Sequence, residues 1–121
     1  RDTRRSLLRG GPPLPILAGT NATIGVIATD AQLTKAQARR LAMAGHDGLA
    51  RSINPAHTLS DGDTLFAMST GLAPRTPGMT VLCVMAAEAV ARATVRAVRA
   101  ARSVEVGGLR LPGVASVSHS R

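Results

Sequence analysis

The sequence predicts an α/β chain in the order strand, helix, strand, helix, with strands that need sheet neighbours from another polypeptide. Three observations carry this. Two short apolar runs rich in strand-forming residues each precede a stretch with helical periodicity. The runs are nearly continuous in apolar character, the pattern of strands covered on both faces. The 121 residues hold one Phe and no Tyr or Trp. Ala, Val, Leu and Ile must therefore fill the core, which suits thin strands against close-packed helices. An apolar share of 45% with 18% charged residues is the composition of a folded domain rather than of a disordered chain.

The elements follow in order. Residues 1–20 read as an extended segment outside the core, because Gly10-Gly11-Pro12-Pro13 and Pro15 break both helix and sheet. Thr23 to Thr29 is the first strand, ended by Asp30. Thr34-Lys-Ala-Gln37 fits a capping box and opens a helix. Leu41, Gly45, Leu49 and Ile53 then recur down one face with Ala38 and Ala42 beside them, and Asn54-Pro55 stops it. The turn-prone Ser60 to Asp63 introduces a second strand, Thr64 to Thr70. A loop with Pro74 and Pro77 leads to the longest helix, Met79 to about Arg102, with Leu82, Met85, Ala89 and Ala93 on one face. Gly107-Gly108 and Pro112-Gly113 interrupt the remainder, and the Ser-rich end is weakly anchored. Two strands and two helices do not close a domain, so the chain reads as part of a larger layered structure.

Composition also sorts the function classes. The formal charge is +8, and fourteen of the fifteen basic residues are Arg. Arg92, Arg96, Arg99 and Arg102 recur at spacings of four and three along one helix face, which could track phosphates. No aromatic stacking platform or nucleic-acid motif accompanies them, so a solvated face is preferred and nucleic-acid binding is the least favoured reading. Cys83 stands alone, which excludes a disulfide framework and a cysteine metal cluster within the chain. No apolar run reaches the roughly 20 residues that span a bilayer, and Arg1 to Arg5 lacks the apolar segment of a signal peptide. A soluble, reduced, cytoplasmic setting with no membrane partner is expected.

Among groups able to do chemistry, His46, His57 and His119 are far apart and lack ligand spacing. His46 reads as a polar residue at a packing boundary. His57, in Asn54-Pro-Ala-His-Thr58, could orient the acidic turn that follows, by hydrogen bonding rather than as a general base. Cys83 reads as a small packing residue. Asp61-Gly62-Asp63 is the strongest candidate. Two carboxylates two residues apart, just before a strand, can share a proton, anchor an ammonium group or orient a hydroxyl. An ordinary Asp-Gly turn capping the strand accounts for the same residues.

Several motifs then occur together in order: Gly19-Thr-Asn-Ala-Thr-Ile-Gly-Val-Ile-Ala-Thr-Asp30, Lys35-Ala-Gln-Ala-Arg-Arg-Leu-Ala42, His46-Asp-Gly-Leu-Ala-Arg51, and Pro55-Ala-His-Thr58 with Asp61-Gly-Asp-Thr-Leu-Phe-Ala67. The chain resembles the N-terminal-nucleophile amide hydrolases that include the L-aminopeptidase/D-amidase/esterases, the β-peptidyl aminopeptidases and the nylon-oligomer (6-aminohexanoate oligomer) hydrolases. The likeness is dense over residues 19–71 and loose over the later helix. It implies a layered α/β/β/α sandwich, and a precursor that cuts itself into a large and a small subunit. The small subunit then begins with a Thr or Ser whose hydroxyl is the nucleophile and whose new amine can act as base.

By that resemblance, residues 1–21 are the tail of the large-subunit part and residues 22–121 the small subunit. The family junction reads Asn-Thr-Thr, whereas this chain reads Asn21-Ala22-Thr23. Counting back from Asp61 and Asp63 puts the nucleophile position at Ala22, which has no hydroxyl. An uncut, inactive chain with Asn21 and Ala22 still joined is therefore expected. Asp61 and Asp63 match the pair that positions the nucleophile or receives the substrate's amino end. No metal or organic cofactor is implied, because the sequence holds no ligand cluster. The resemblance implies as partners the large-subunit part, a small peptide or amide substrate, and further copies of the two-part unit. A naturally non-catalytic relative is the alternative.

Overall fold

In the computed structural model, which describes residues 3–11, 22–59 and 61–114, seven elements run along the chain. They are α1 (Thr3–Leu8), β1 (Ile24–Thr29), α2 (Lys35–Ser52), β2 (Thr64–Ser69), α3 (Met79–Ala100), β3 (Val104–Val106) and β4 (Leu109–Leu111).

The first correction falls on the opening segment. Thr3–Leu8 is helical rather than extended, because no breaker interrupts Thr-Arg-Arg-Ser-Leu-Leu. Gly10, at φ +73°, ends it: the Gly10 and Gly11 amides return to the carbonyls of Leu7 and Ser6. Residues 12–21 lie outside the described residues.

β1 and β2 are parallel neighbours, registered from Ile24 opposite Thr64 to Thr29 opposite Ser69. Parallel strands need a long crossover, and α2 supplies it. Its start is the expected capping box. The Thr34 hydroxyl accepts the Gln37 amide at 3.2 Å while the Gln37 side chain accepts the Thr34 amide at 2.8 Å. The helix ends at Ser52, with Ile53 as its cap.

Side chains alternate across the sheet, so each face has its own character. On the inner face Ile27, Leu65 and Ala67 pack with Ala31, Leu41, Leu82 and Ala86 beneath α2 and α3. Leu41 and Leu49 are the most deeply buried large side chains. Gly48 lets the two helices touch, since a Cβ there would collide with the Ala87 carbonyl oxygen. On the outer face Ile24, Val26, Phe66 and Met68 are exposed. Among the described residues the strands are thus covered on one face.

Three further expectations need correcting. The buried positions of α3 are Leu82, Ala86 and Ala87, whereas Met85 and Ala89 face outward. This helix is apolar nearly all round, so periodicity allowed two faces, and contact with Gly48 selected the one carrying the small Ala86-Ala87 pair. Met85, Ala89 and Ala93 instead line an open groove of about 600 Å³ with Val84, Glu88, Arg92 and Arg96. In that groove Arg92 donates to Glu88 at 2.6 Å, and Arg102 lies beyond the end of α3, so the basic stripe is three residues long with its first member paired. Past the helix, β3 and β4 form an antiparallel hairpin that the breaker reading passed over. Gly107 and Gly108 both have positive φ, as a tight hairpin turn requires. The alternating Val-Glu-Val and Leu-Arg-Leu on either side were the available signal. No helix among the described residues is long and apolar enough to cross a membrane.

Candidate active site

Parallel pairing brings the starts of β1 and β2 to the same sheet edge, and with them the two segments that precede them. The ladder is continued one step outward by the Thr64 amide, which donates to the Thr23 carbonyl at 2.8 Å. At that edge the Thr23 amide donates to Asp63 Oδ1 at 2.9 Å, a contact spanning 40 residues of sequence. Asp63 is only 9% exposed at its side chain. It ties the segment before β1 to the segment before β2.

Asp61 works locally. Its Oδ2 accepts the Thr58 amide at 2.7 Å, and its own amide donates to the Thr58 carbonyl at 3.1 Å. The two bonds close the loop ahead of β2, much as the ordinary turn reading anticipates. The two carboxylates are therefore held by different partners rather than by each other.

Ala22 and Thr23 line one cleft of about 350 Å³ with Asp61 and Asp63, closed by Thr3, Ile53, Asn54 and Pro55. None of these lining residues is basic. A cleft with two carboxylates and no cation can receive an ammonium group or orient a hydroxyl. Three of the four site residues named from sequence are thus brought together. Asn21 lies outside the described residues, as does His119. Cys83 is a half-buried free thiol on α3 and lines no part of the cleft. No group of three His, Cys, Asp or Glu that could hold a metal ion occurs among the described residues.

The feature that sequence reasoning missed is a histidine contact. His46 Nδ1 on α2 lies 3.0 Å from His57 Nε2, and the ring centroids are 5.0 Å apart. His57 has φ +56°, the left-handed region that non-glycine residues seldom adopt. Its Nε2 is 4.0 Å from Asp63 Oδ2. The signal in the sequence was weak, since His57 lies in the loop beyond the end of α2, where helical spacing from His46 no longer places a side chain.

A strand–helix–strand–helix unit with an acidic cleft at the starts of its two strands serves many chemistries, so the arrangement alone does not name one. The comparison with known proteins is specific. The sequence pattern of Peptidase family S58 matches residues 2–110, and the chain belongs to that family. It is 46% identical over 101 residues to an uncharacterized aminopeptidase of Mycobacterium leprae, a match covering 73% of this chain and 28% of that protein. A second uncharacterized aminopeptidase, from Mycobacterium tuberculosis, is 47% identical over 97 residues, covering 69% of this chain and 28% of the relative. A 6-aminohexanoate-oligomer endohydrolase of Paenarthrobacter ureafaciens is 38% identical over 66 residues, covering 53% of this chain and 19% of the relative. The matched region spans little more than a quarter of the length of the aminopeptidase relatives.

Proposed function

We propose that this chain is the small-subunit region, residues 22–121, of a self-processing amide hydrolase, joined to its upstream tail at an uncut junction. The observation that carries the reading is the sharing of one cleft by Ala22, Asp61 and Asp63. In an active copy a Thr at position 22 attacks the Asn21 carbonyl carbon through its hydroxyl oxygen. The bond from that carbon to the residue 22 nitrogen breaks, and the hydroxyl proton passes to the freed amine. Water then cleaves the ester, leaving a carboxylate on Asn21 and restoring the hydroxyl. The same hydroxyl, now beside a free amine, attacks a peptide, an amino-acid amide or an amide oligomer. Asp63 fixes the backbone next to the nucleophile, and Asp61 shapes the mouth that receives the substrate's amino end. With Ala22 in place none of these steps can begin, and this copy is inactive.

The rest of the precursor supplies the oxyanion donors and the second sheet of an α/β/β/α sandwich, packed on Ile24, Val26, Phe66 and Met68. Two-part units then associate in a cytoplasmic assembly. The exposed apolar outer face of β1 and β2 supports that layering. A second reading has one observation in its favour. The Thr23 amide sits on Asp63, as the amine of an N-terminal Thr23 would, so cleavage between Ala22 and Thr23 is the rival register.

Intact-mass analysis of the complete precursor separates the two. The unmodified precursor is expected to stay whole and the Ala22→Thr variant to cut before residue 22. Cleavage of the unmodified precursor before Thr23 overturns the register. In the active Ala22→Thr background, Asp63→Ala and Asp61→Ala are expected to lower turnover far more than thermal stability. Parallel loss of folding and activity returns the pair to a turn-capping role.

A further inference from the structure

We propose that His57 is a positioning residue for Asp63, held in place by His46. The inference rests on the reading of position 22 as the nucleophile site and extends it to two side chains outside the cleft lining.

The geometry gives Asp63 two sides. Oδ1 accepts the Thr23 amide at 2.9 Å, facing the junction, and Oδ2 faces His57 Nε2 at 4.0 Å. The second distance is too long for a hydrogen bond but short enough for a charge to act. His57 Nε2 also lies 3.0 Å from His46 Nδ1, so one proton is shared between the two nitrogens. If His46 carried it, His57 Nε2 would accept from His46 and stand as an electron-rich atom 4.0 Å from Asp63 Oδ2, which is unfavourable. If His57 Nε2 carries it, the N–H is given to His46 Nδ1, and its positive end lies on the nitrogen 4.0 Å from Asp63 Oδ2. Asp63 thereby selects the arrangement in which His57 donates and His46 accepts. In return, the polarised ring holds Oδ2 on the far side and keeps Oδ1 on Thr23, next to residue 22.

The backbone is compatible with the same purpose. His57 stands at φ +56°, in the left-handed region where His is found more often than most non-glycine residues, and this turns the loop so that its ring meets His46. His46 is carried by α2, whose face is packed into the core at Gly45, Gly48 and Leu49, so the relay is anchored to a rigid element. The sequence runs α2, His46, His57, Asp63, Thr23 and then the nucleophile position.

The test uses the complete precursor carrying Ala22→Thr, with self-cleavage before residue 22 followed by intact mass. His57→Gly removes the ring while leaving the left-handed backbone freely available. The expected result is a rate about 10²-fold lower, the scale of a small misplacement at a reacting centre, with an unchanged thermal midpoint and partial recovery on adding imidazole. An unchanged rate overturns the proposal. So does a rate that falls together with the thermal midpoint and is not recovered by imidazole, because the pair then only pins the loop. A second readout needs no activity. In the unmodified precursor labelled with ¹⁵N-histidine, Asp63→Asn is expected to shift the ring nitrogen resonances of both His57 and His46, and unmoved resonances overturn the relay. If Ala22→Thr does not cut at all, the nucleophile register has failed, and the ring resonances alone decide the role of His57.

Discussion

The two faces of the β1–β2 sheet are built from the same kinds of residue and meet opposite fates. Ile27 is buried and Leu65 and Ala67 are partly buried beneath α2 and α3, while Ile24, Val26, Phe66 and Met68 on the other side remain bare. Apolar character is therefore a poor guide to which face this chain finishes by itself. What separates them is the partner: two helices with small residues at their crossing can come close to one face, and none of the described residues folds back over the other. The same contrast holds at the strand edge, where Asp63 is tied across the sheet and the cleft beside it is open.

The largest effects should come from truncating a side chain buried against the inner face and one standing on the outer face. Leu41→Ala is expected to destabilise by about 3 kcal/mol, whether measured on this chain alone or on the complete precursor. Phe66→Ala is expected to shift the stability of the chain alone by less than about 0.5 kcal/mol, yet to cost about 3 kcal/mol in the precursor, where the proposed layering covers the outer face. Equal costs for Phe66→Ala in the two settings, read from denaturant unfolding, would break the comparison.

A smaller effect sharpens what lets the inner face close. Gly48→Ala is expected to cost about 2 kcal/mol, because its Cβ meets the backbone of α3 and the helices must separate. Gly45→Ala meets the flexible end of Ile27 at 2.5 Å and is expected to cost about 1 kcal/mol. The reverse order in thermal melts would show that the helix crossing is not the tight point. Smallest is the cap: Thr34→Ala removes one side of the capping box and is expected to cost about 1 kcal/mol or less, with Thr34→Asp close to neutral.

How far the sequence could be read follows from the same physics. Local signals were reliable: the capping box at Thr34 and Gln37, the β-branched run of β1 and the Pro stop after α2 each depend on a few adjacent residues. The buried face of α3 was not legible, since Ala, Val and Met surround that helix and only the crossing at Gly48 chooses between its sides. The hairpin after α3 was missed because Gly107-Gly108 was read as interruption when the flanking alternation made it a turn. At the site, the spacing from position 22 to Asp61 and Asp63 could be counted, and the structure brings those residues together. The contact of His46 with His57 depends on a left-handed residue in the middle of a loop, which no local pattern announces.

The register of β1 against β2 has a consequence for any chain severed ahead of residue 22. The new end would lie two residues before Ile24, and the residue between, Thr23, is clasped from both sides: its carbonyl by Thr64 and its amide by Asp63. Such an end has a leash one residue long. It cannot fray into solvent as chain termini usually do, nor wander from the carboxylates beside it. The sheet itself sets the reach of the terminus, and a slip of one step in the pairing would turn it away from the cleft.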